Sequence, residues 1–171
     1  ATKKHAASRQ LTDDLFANYS PNDRPVVNWT DTVEVSLLQS YILLRDVDEK
    51  AGTVQLVVET LFTWKDQLLT WDPEEYNGVT SIIVPANQVW TPYFTVEGAV
   101  FSGSDHYWKS STDIHILNTG QIWWNIDRDF SLPCNLRIDY FPFDSQTCIL
   151  IWFMAYSPAA EVTFKLLEKP E

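Results

Sequence analysis

The sequence predicts a mainly β fold, an antiparallel sandwich carrying one α-helix at its N-terminus. Three observations lead there. Short runs that alternate apolar and polar residues recur along most of the chain. Clusters of Pro, Asn, Asp and Gly separate those runs. Helical spacing is confined to the first twenty residues or so. The length of 171 residues suits one domain, residues 1–171, with a sizeable core.

The helix is expected over residues 7–19. Leu11, Leu15 and Tyr19 recur every fourth residue, Phe16 lies beside them, and Ser8 is placed to cap the start. Ser20-Pro21-Asn22-Asp23 should end it. Val33, Val35 and Leu37 then alternate with polar residues, as do Val54, Leu56 and Val58, and Ala51-Gly52 between them predicts a hairpin. Further strands are expected at Ser81–Val84, Asp113–Leu117, Gln121–Ile126, Thr147–Met154 and Glu161–Leu167. Many short strands with one leading helix favour a sandwich over a parallel sheet.

Composition excludes several functions. Eight Trp and 14 % aromatic residues argue against disorder. A net charge of −11 leaves no basic stripe for phosphates, so no nucleic-acid partner is expected. The first ten residues have no apolar core of a signal peptide, so the chain reads as mature or trimmed. The longest apolar run, Ile149 to Tyr156, is far below the ~18 residues of a membrane helix. No nucleophile elbow, zinc-protease helix, P-loop or dinucleotide fingerprint occurs, so no enzyme, catalytic residue, metal or cofactor is expected. His5, His106 and His115 read as surface or packed histidines.

Two cysteines, Cys134 and Cys148, are separated by thirteen residues, a spacing of neither redox nor zinc motifs. One bridge in an oxidising compartment is the better reading. The sequons Asn28-Trp29-Thr30 and Asn18-Tyr19-Ser20 add modest support for secretion, although Pro21 follows the second. Between the cysteines lies Phe141-Pro142-Phe143-Asp144, an apolar tip that a stapled loop would hold out as a contact surface. Trp64 and Trp71 would lie on opposite faces of an ideal strand. Trp123-Trp124 should put one ring on each sheet face, leaving one in a cleft or subunit contact.

Leu11 to Tyr19 with Arg24-Pro25-Val26 resembles the N-terminus of nicotinic-type Cys-loop receptors. So do the W-x-D-x-x-L-x-W pattern at Trp64–Trp71, Val84-Pro85 with Val89-Trp90-Thr91-Pro92, and the Cys134–Cys148 loop with Asp139, Phe-Pro-Phe-Asp and Gln146. The match runs in order along nearly the whole chain. The resemblance implies an immunoglobulin-like β-sandwich that is an extracellular ligand-binding domain, at the outer face of the plasma membrane. It implies a Cys134–Cys148 disulfide, identical or homologous subunits in a ring of five, and an amine-like ligand caged by aromatics between subunits. A transmembrane channel domain is expected C-terminal to this chain, with Phe141, Pro142, Phe143 and Asp144 as the loop that couples to it. Soluble acetylcholine-binding proteins typically carry a more polar tip. A secreted pentamer of that kind remains an alternative, as does a structural or adhesive sandwich without a small ligand.

Several cage positions depart from the family. Ungapped counting places Glu97, Ala155 and Glu59 where the family has rings, with Tyr156 next to Ala155 and Tyr93 in place of a usual Asp. The expected site therefore draws Tyr93, Glu97, Trp152, Ala155 and Tyr156 from one subunit and Glu59, Trp123 and Asn125 from its neighbour. Such a pocket should bind acetylcholine weakly and accept bulkier molecules. The chain also stops near the family's eighth strand, so the last hairpin and its closing loop are expected to be missing from it.

Overall fold

A computed structural model describes residues 2–101, 112–137, 143–154 and 158–167. Helix α1 (Thr2–Phe16) is followed by β1 (Val33–Asp48), β2 (Thr53–Lys65), β3 (Ser81–Pro85), β4 (Phe94–Val96), β5 (Val100–Phe101), β6 (Asp113–Leu117), β7 (Gln121–Pro133), β8 (Trp152–Met154) and β9 (Val162–Leu167). Among the described residues, one sheet runs β3-β6-β7-β2-β1-β9 with β5 on β7, and β4 pairs β8 in a second layer. Pairing is antiparallel except for β1 with β9, which run parallel from Val33↔Val162 to Leu38↔Leu167. The fold is the expected mainly β sandwich with its N-terminal helix.

Alternation drives the layering. On β7, Ile122, Trp124, Ile126, Arg128, Phe130 and Leu132 are buried. Between them Trp123, Asn125 and Asp127 are exposed. The buried side forms a ladder of rings. Phe62 stacks on Phe94 with centroids 4.0 Å apart, Trp124 packs on both, and Trp64 meets Trp124 and Trp90 edge-on at 6.2 and 5.9 Å. Edge and offset contacts of this kind add to area burial. Arg128, buried among them, holds its guanidinium 4.7 Å from the Phe94 ring centroid.

Several boundaries differ from those expected. The helix is Thr2–Phe16, not 7–19. Ser8 is no cap: it lies inside the helix, where its carbonyl accepts the Thr12 hydroxyl at 2.9 Å. The helix stops before Tyr19 because that side chain is held elsewhere. Tyr19 Oη donates to Asp66 Oδ2 at 2.7 Å and accepts Trp90 N–H at 2.9 Å.

The Trp64–Trp71 segment is not one strand. β2 ends at Lys65 because the Asp66 carboxylate accepts the backbone N–H groups of Leu68 and Leu69, which turns the chain. Trp71 then folds back to the same core as Trp64, its indole N–H donating to Val79 O at 2.6 Å. Gly120 closes this turn from the β6–β7 side. Its φ is +81°, and a Cβ there would sit 2.2 Å from Asp66 O.

Strands β1 and β7 run longer than alternation alone indicated, whereas the expected strand over 147–154 shrinks to Trp152–Met154. Its partner β4 offers only three residues, Phe94↔Met154 to Val96↔Trp152, so the chain before it lacks a ladder.

Cys134 and Cys148 are bonded, with Cα atoms 5.3 Å apart. Inside the loop, Gln146 Nε2 donates to Arg137 O at 2.6 Å and to Asp144 Oδ2, while Arg137 N–H donates to Gln146 Oε1 at 2.9 Å. Phe143 is 93 % exposed. Phe141 and Pro142 lie outside the described residues, as do Asp139, Ala155 and Tyr156.

Candidate functional site

The outward face of the large sheet carries a row of residues brought into line by strand register. Ile83 pairs with His115, His115 with Trp123, Trp123 with Thr63, and Thr63 with Ser36. One row further along, Asn125 faces Leu61, and beyond it Asp127 faces Glu59, which faces Tyr41. Alternation puts these side chains opposite the buried ladder of Ile114, Ile116, Ile122 and Trp124.

A concavity of about 410 Å³ opens on this face, lined by Ser40, Leu61, Ile83, Asp113, His115, Trp123 and Asn125. Trp123 remains 44 % exposed, and His115 lies edge-on to it at 5.5 Å. Asn125 Nδ2 donates to Glu59 Oε1 at 2.5 Å. Among the described residues the lining includes Asp113 and no Lys or Arg. An open indole face with a carboxylate and an amide nearby suits a cation with an apolar body. Trp123 thus occupies a cleft on the sheet, as the alternation of Trp123-Trp124 indicated.

The other expected site residues belong to the second layer. Tyr93 precedes β4 and is 49 % exposed. Glu97 follows β4; it is exposed, and its N–H donates to Ile151 O at 2.9 Å. Trp152, on β8, is half-buried and packs on Phe94 and Phe62 with centroids 5.5 and 6.2 Å away. Within one chain this group and the Glu59, Trp123, Asn125 group sit on different layers, with the aromatic ladder between.

Sequence reasoning missed Ile83, Asp113 and His115 as neighbours of Trp123. The alternation of Asp113-Ile114-His115-Ile116-Leu117 marks Asp113 and His115 as outward, but which strand lies beside β7 is a matter of topology. Among the described residues no group of three or more His, Cys, Asp or Glu could hold a metal ion. No helix there is long and apolar enough to cross a membrane.

Residues 8–170 match the family model of the neurotransmitter-gated ion-channel ligand binding domain. The chain belongs to this family. It is 34 % identical over 140 residues to the acetylcholine receptor subunit alpha-type acr-16 of Caenorhabditis elegans, covering 82 % of this chain and 28 % of that protein. It is 36 % identical over 141 residues to acetylcholine receptor subunit alpha-1-B of Xenopus laevis, covering 81 % and 30 %. It is 33 % identical over 149 residues to neuronal acetylcholine receptor subunit alpha-4 of Homo sapiens, covering 87 % and 23 %. The chain therefore spans about a quarter of the length of the curated relatives it matches. This ligand binding domain carries its disulfide-closed loop at Cys134–Cys148 and an exposed aromatic, Trp123, on its outward sheet face.

Proposed function

We infer that this chain is the extracellular ligand-binding part of a pentameric ligand-gated channel subunit. Its small ligand binds between subunits, and binding is passed to a membrane channel domain through the 134–148 loop. The match of residues 8–170 to the channel family's ligand-binding domain carries the reading. Two structural features support it. The Trp123 cleft lies on an outward sheet face, and the exposed Tyr93 and Glu97 flank β4 on the other layer, so a neighbouring copy is needed to bring the two groups together. The Cys134–Cys148 loop offers an apolar ring, Phe143, to solvent while Gln146 braces its base.

Under this reading Tyr93, Glu97, Ala155 and Tyr156 form one half of the site, and Glu59, Trp123 and Asn125 the other; Trp152, expected from the sequence beside them, instead turns into the core against Phe62 and Phe94. Glu59, Glu97 and Ala155 supply no ring for a quaternary ammonium, so acetylcholine should bind weakly. Asn28 and Asn18, both exposed, are the proposed glycan sites.

The test is electrophysiology on the full-length subunit in a cell membrane. The reading predicts agonist-evoked currents, and loss of current with retained binding in Phe143→Ala. A precursor that is secreted as a soluble pentamer and evokes no current would favour a transmitter-binding protein instead. A stable monomer with no small-molecule binding would favour an adhesive sandwich.

A further inference from the structure

The chemistry of the Trp123 cleft narrows the ligand beyond an amine in general. The geometry points to a primary or secondary ammonium, a cation that carries N–H donors, in preference to a quaternary one. This inference rests on the reading above, that the cleft lines the ligand site.

A quaternary ammonium is held by ring faces and by charge attraction, but it has no N–H to donate in a hydrogen bond. Among the described residues the cleft offers one open indole, Trp123, and places acceptors around it. Asp113 contributes a carboxylate to the lining. Asn125 has its amide N–H₂ engaged by Glu59 Oε1 at 2.5 Å, which leaves Asn125 Oδ1 as an acceptor. Ser40 adds a hydroxyl. Glu59 stands where the resemblance expects a ring, so the exchange at that position is from a π face to an anionic acceptor.

A protonated primary amine satisfies this arrangement. Its charge lies over the Trp123 indole, and its N–H groups donate to Asp113 and to Asn125 Oδ1. Charge-assisted hydrogen bonds of this type are about twice as strong as neutral ones. Ile83 and Leu61, also in the lining, provide apolar surface for the ligand's body, and Ile83 is 68 % exposed in the isolated chain. A trimethylated ammonium of the same body would desolvate Asp113 and Asn125 without replacing their hydrogen bonds to water.

The experiment is isothermal titration calorimetry on the assembled full-length protein with two probes, phenethylamine and its N,N,N-trimethyl derivative. The primary amine should bind at least tenfold tighter. In Asp113→Asn and Asn125→Leu that preference should fall to threefold or less, and Trp123→Ala should weaken both probes at least fivefold. These positions are on the exposed face, and circular dichroism checks that each variant is folded. Equal affinities, a preference for the trimethyl probe, an unchanged preference in Asp113→Asn, or no binding of either probe at millimolar concentration would overturn the inference. Sedimentation and current recordings on the same protein separate the two readings. A conducting pentamer without the preference removes only this inference. A preference in a protein that neither assembles nor conducts removes the channel reading and leaves the cleft's chemistry in place.

Discussion

Asn125 on β7 donates through Nδ2 to Glu59 Oε1 on β2 at 2.5 Å, one step diagonal in the strand register. Diagonal neighbours on a sheet face are within reach of long side chains. The pair therefore sets the chemistry of the face beside Trp123, an amide and a carboxylate where an aromatic is expected from the resemblance.

Glu59→Trp should restore a ring at the edge of the cleft. A cation–π contact is worth ~0.5–2 kcal/mol, so acetylcholine or tetramethylammonium should bind roughly 2- to 30-fold tighter to the assembled variant. Calorimetry on wild type and variant measures this. No gain would mean that position 59 does not face the ligand.

Tyr19 and Asp66 form a buried link between the end of α1 and the turn after β2. Tyr19→Phe removes the Asp66 carboxylate's hydroxyl donor and the acceptor for Trp90 N–H. Losing a hydrogen bond to a charged buried group should cost about 1.5–3 kcal/mol in urea unfolding. A loss below about 0.5 kcal/mol would show that water replaces the hydroxyl.

Asp66 also has a pH signature. Burial raises its pKa above the ordinary carboxylate value, against the lowering effect of its bonds from Tyr19, Leu68 and Leu69. The folded state therefore holds the proton more tightly than the unfolded chain. Its contribution is full below the unfolded value of about 3.9 and is lost as pH rises through the raised folded value. Relative to Asp66→Asn, wild type should have its largest stability advantage at the acid end, narrowing as pH climbs above about 4. Unfolding curves of both proteins at a series of pH values check the sign, and a widening gap would contradict it.

Gly120→Ala and Gly78→Ala make a paired test. Both glycines have positive φ, +81° and +74°, so each substitution carries the left-handed penalty of about 1–2 kcal/mol. At Gly78 nothing lies within 4 Å of the new Cβ, whereas at Gly120 it meets Asp66 O at 2.2 Å. Gly120→Ala should thus be clearly the more destabilising of the two in urea melts, since backbone rather than a flexible side chain must move. Equal losses would mean that the 66–71 turn shifts freely.

Removing the bridge with Cys134→Ser and Cys148→Ser together should cost about 3 kcal/mol, the chain-entropy value for a loop of this size. Thermal unfolding with and without reductant is the measurement. If the full-length subunit still assembles, its currents should fall more than its ligand binding, because the loop is proposed to couple rather than to bind.

Much of this fold was legible because alternation is a local signal. Val33, Val35 and Leu37 and Trp123-Trp124 each declare one buried and one open face, and the structure places them so, while in the 54–58 run Val54, Leu56 and Val58 are buried as expected and Val57 is buried on the other face as well. The helix boundary and the Trp64–Trp71 segment were not legible. Both depend on Asp66, which captures Tyr19 from one side and the Leu68 and Leu69 amides from the other. A side chain that bonds across 47 residues leaves no periodic trace in either segment.

The sequence by itself determined the mainly β class, the hairpin at Ala51-Gly52, the spacing of the cysteine loop and the opposite aspects of Trp123 and Trp124. Each follows from contacts between near neighbours or from a two-residue period. Only the tertiary structure decided that β6 lies between β3 and β7, and so that Ile83, Asp113 and His115 join Trp123 and Asn125 around one cleft. It also decided that Trp152 packs into the ladder with Phe62 and Phe94. The physical reason is the same in both cases. Strand order and interlayer packing are set by the burial of distant faces against one another, and a residue's own neighbours in the chain carry no record of which face that will be.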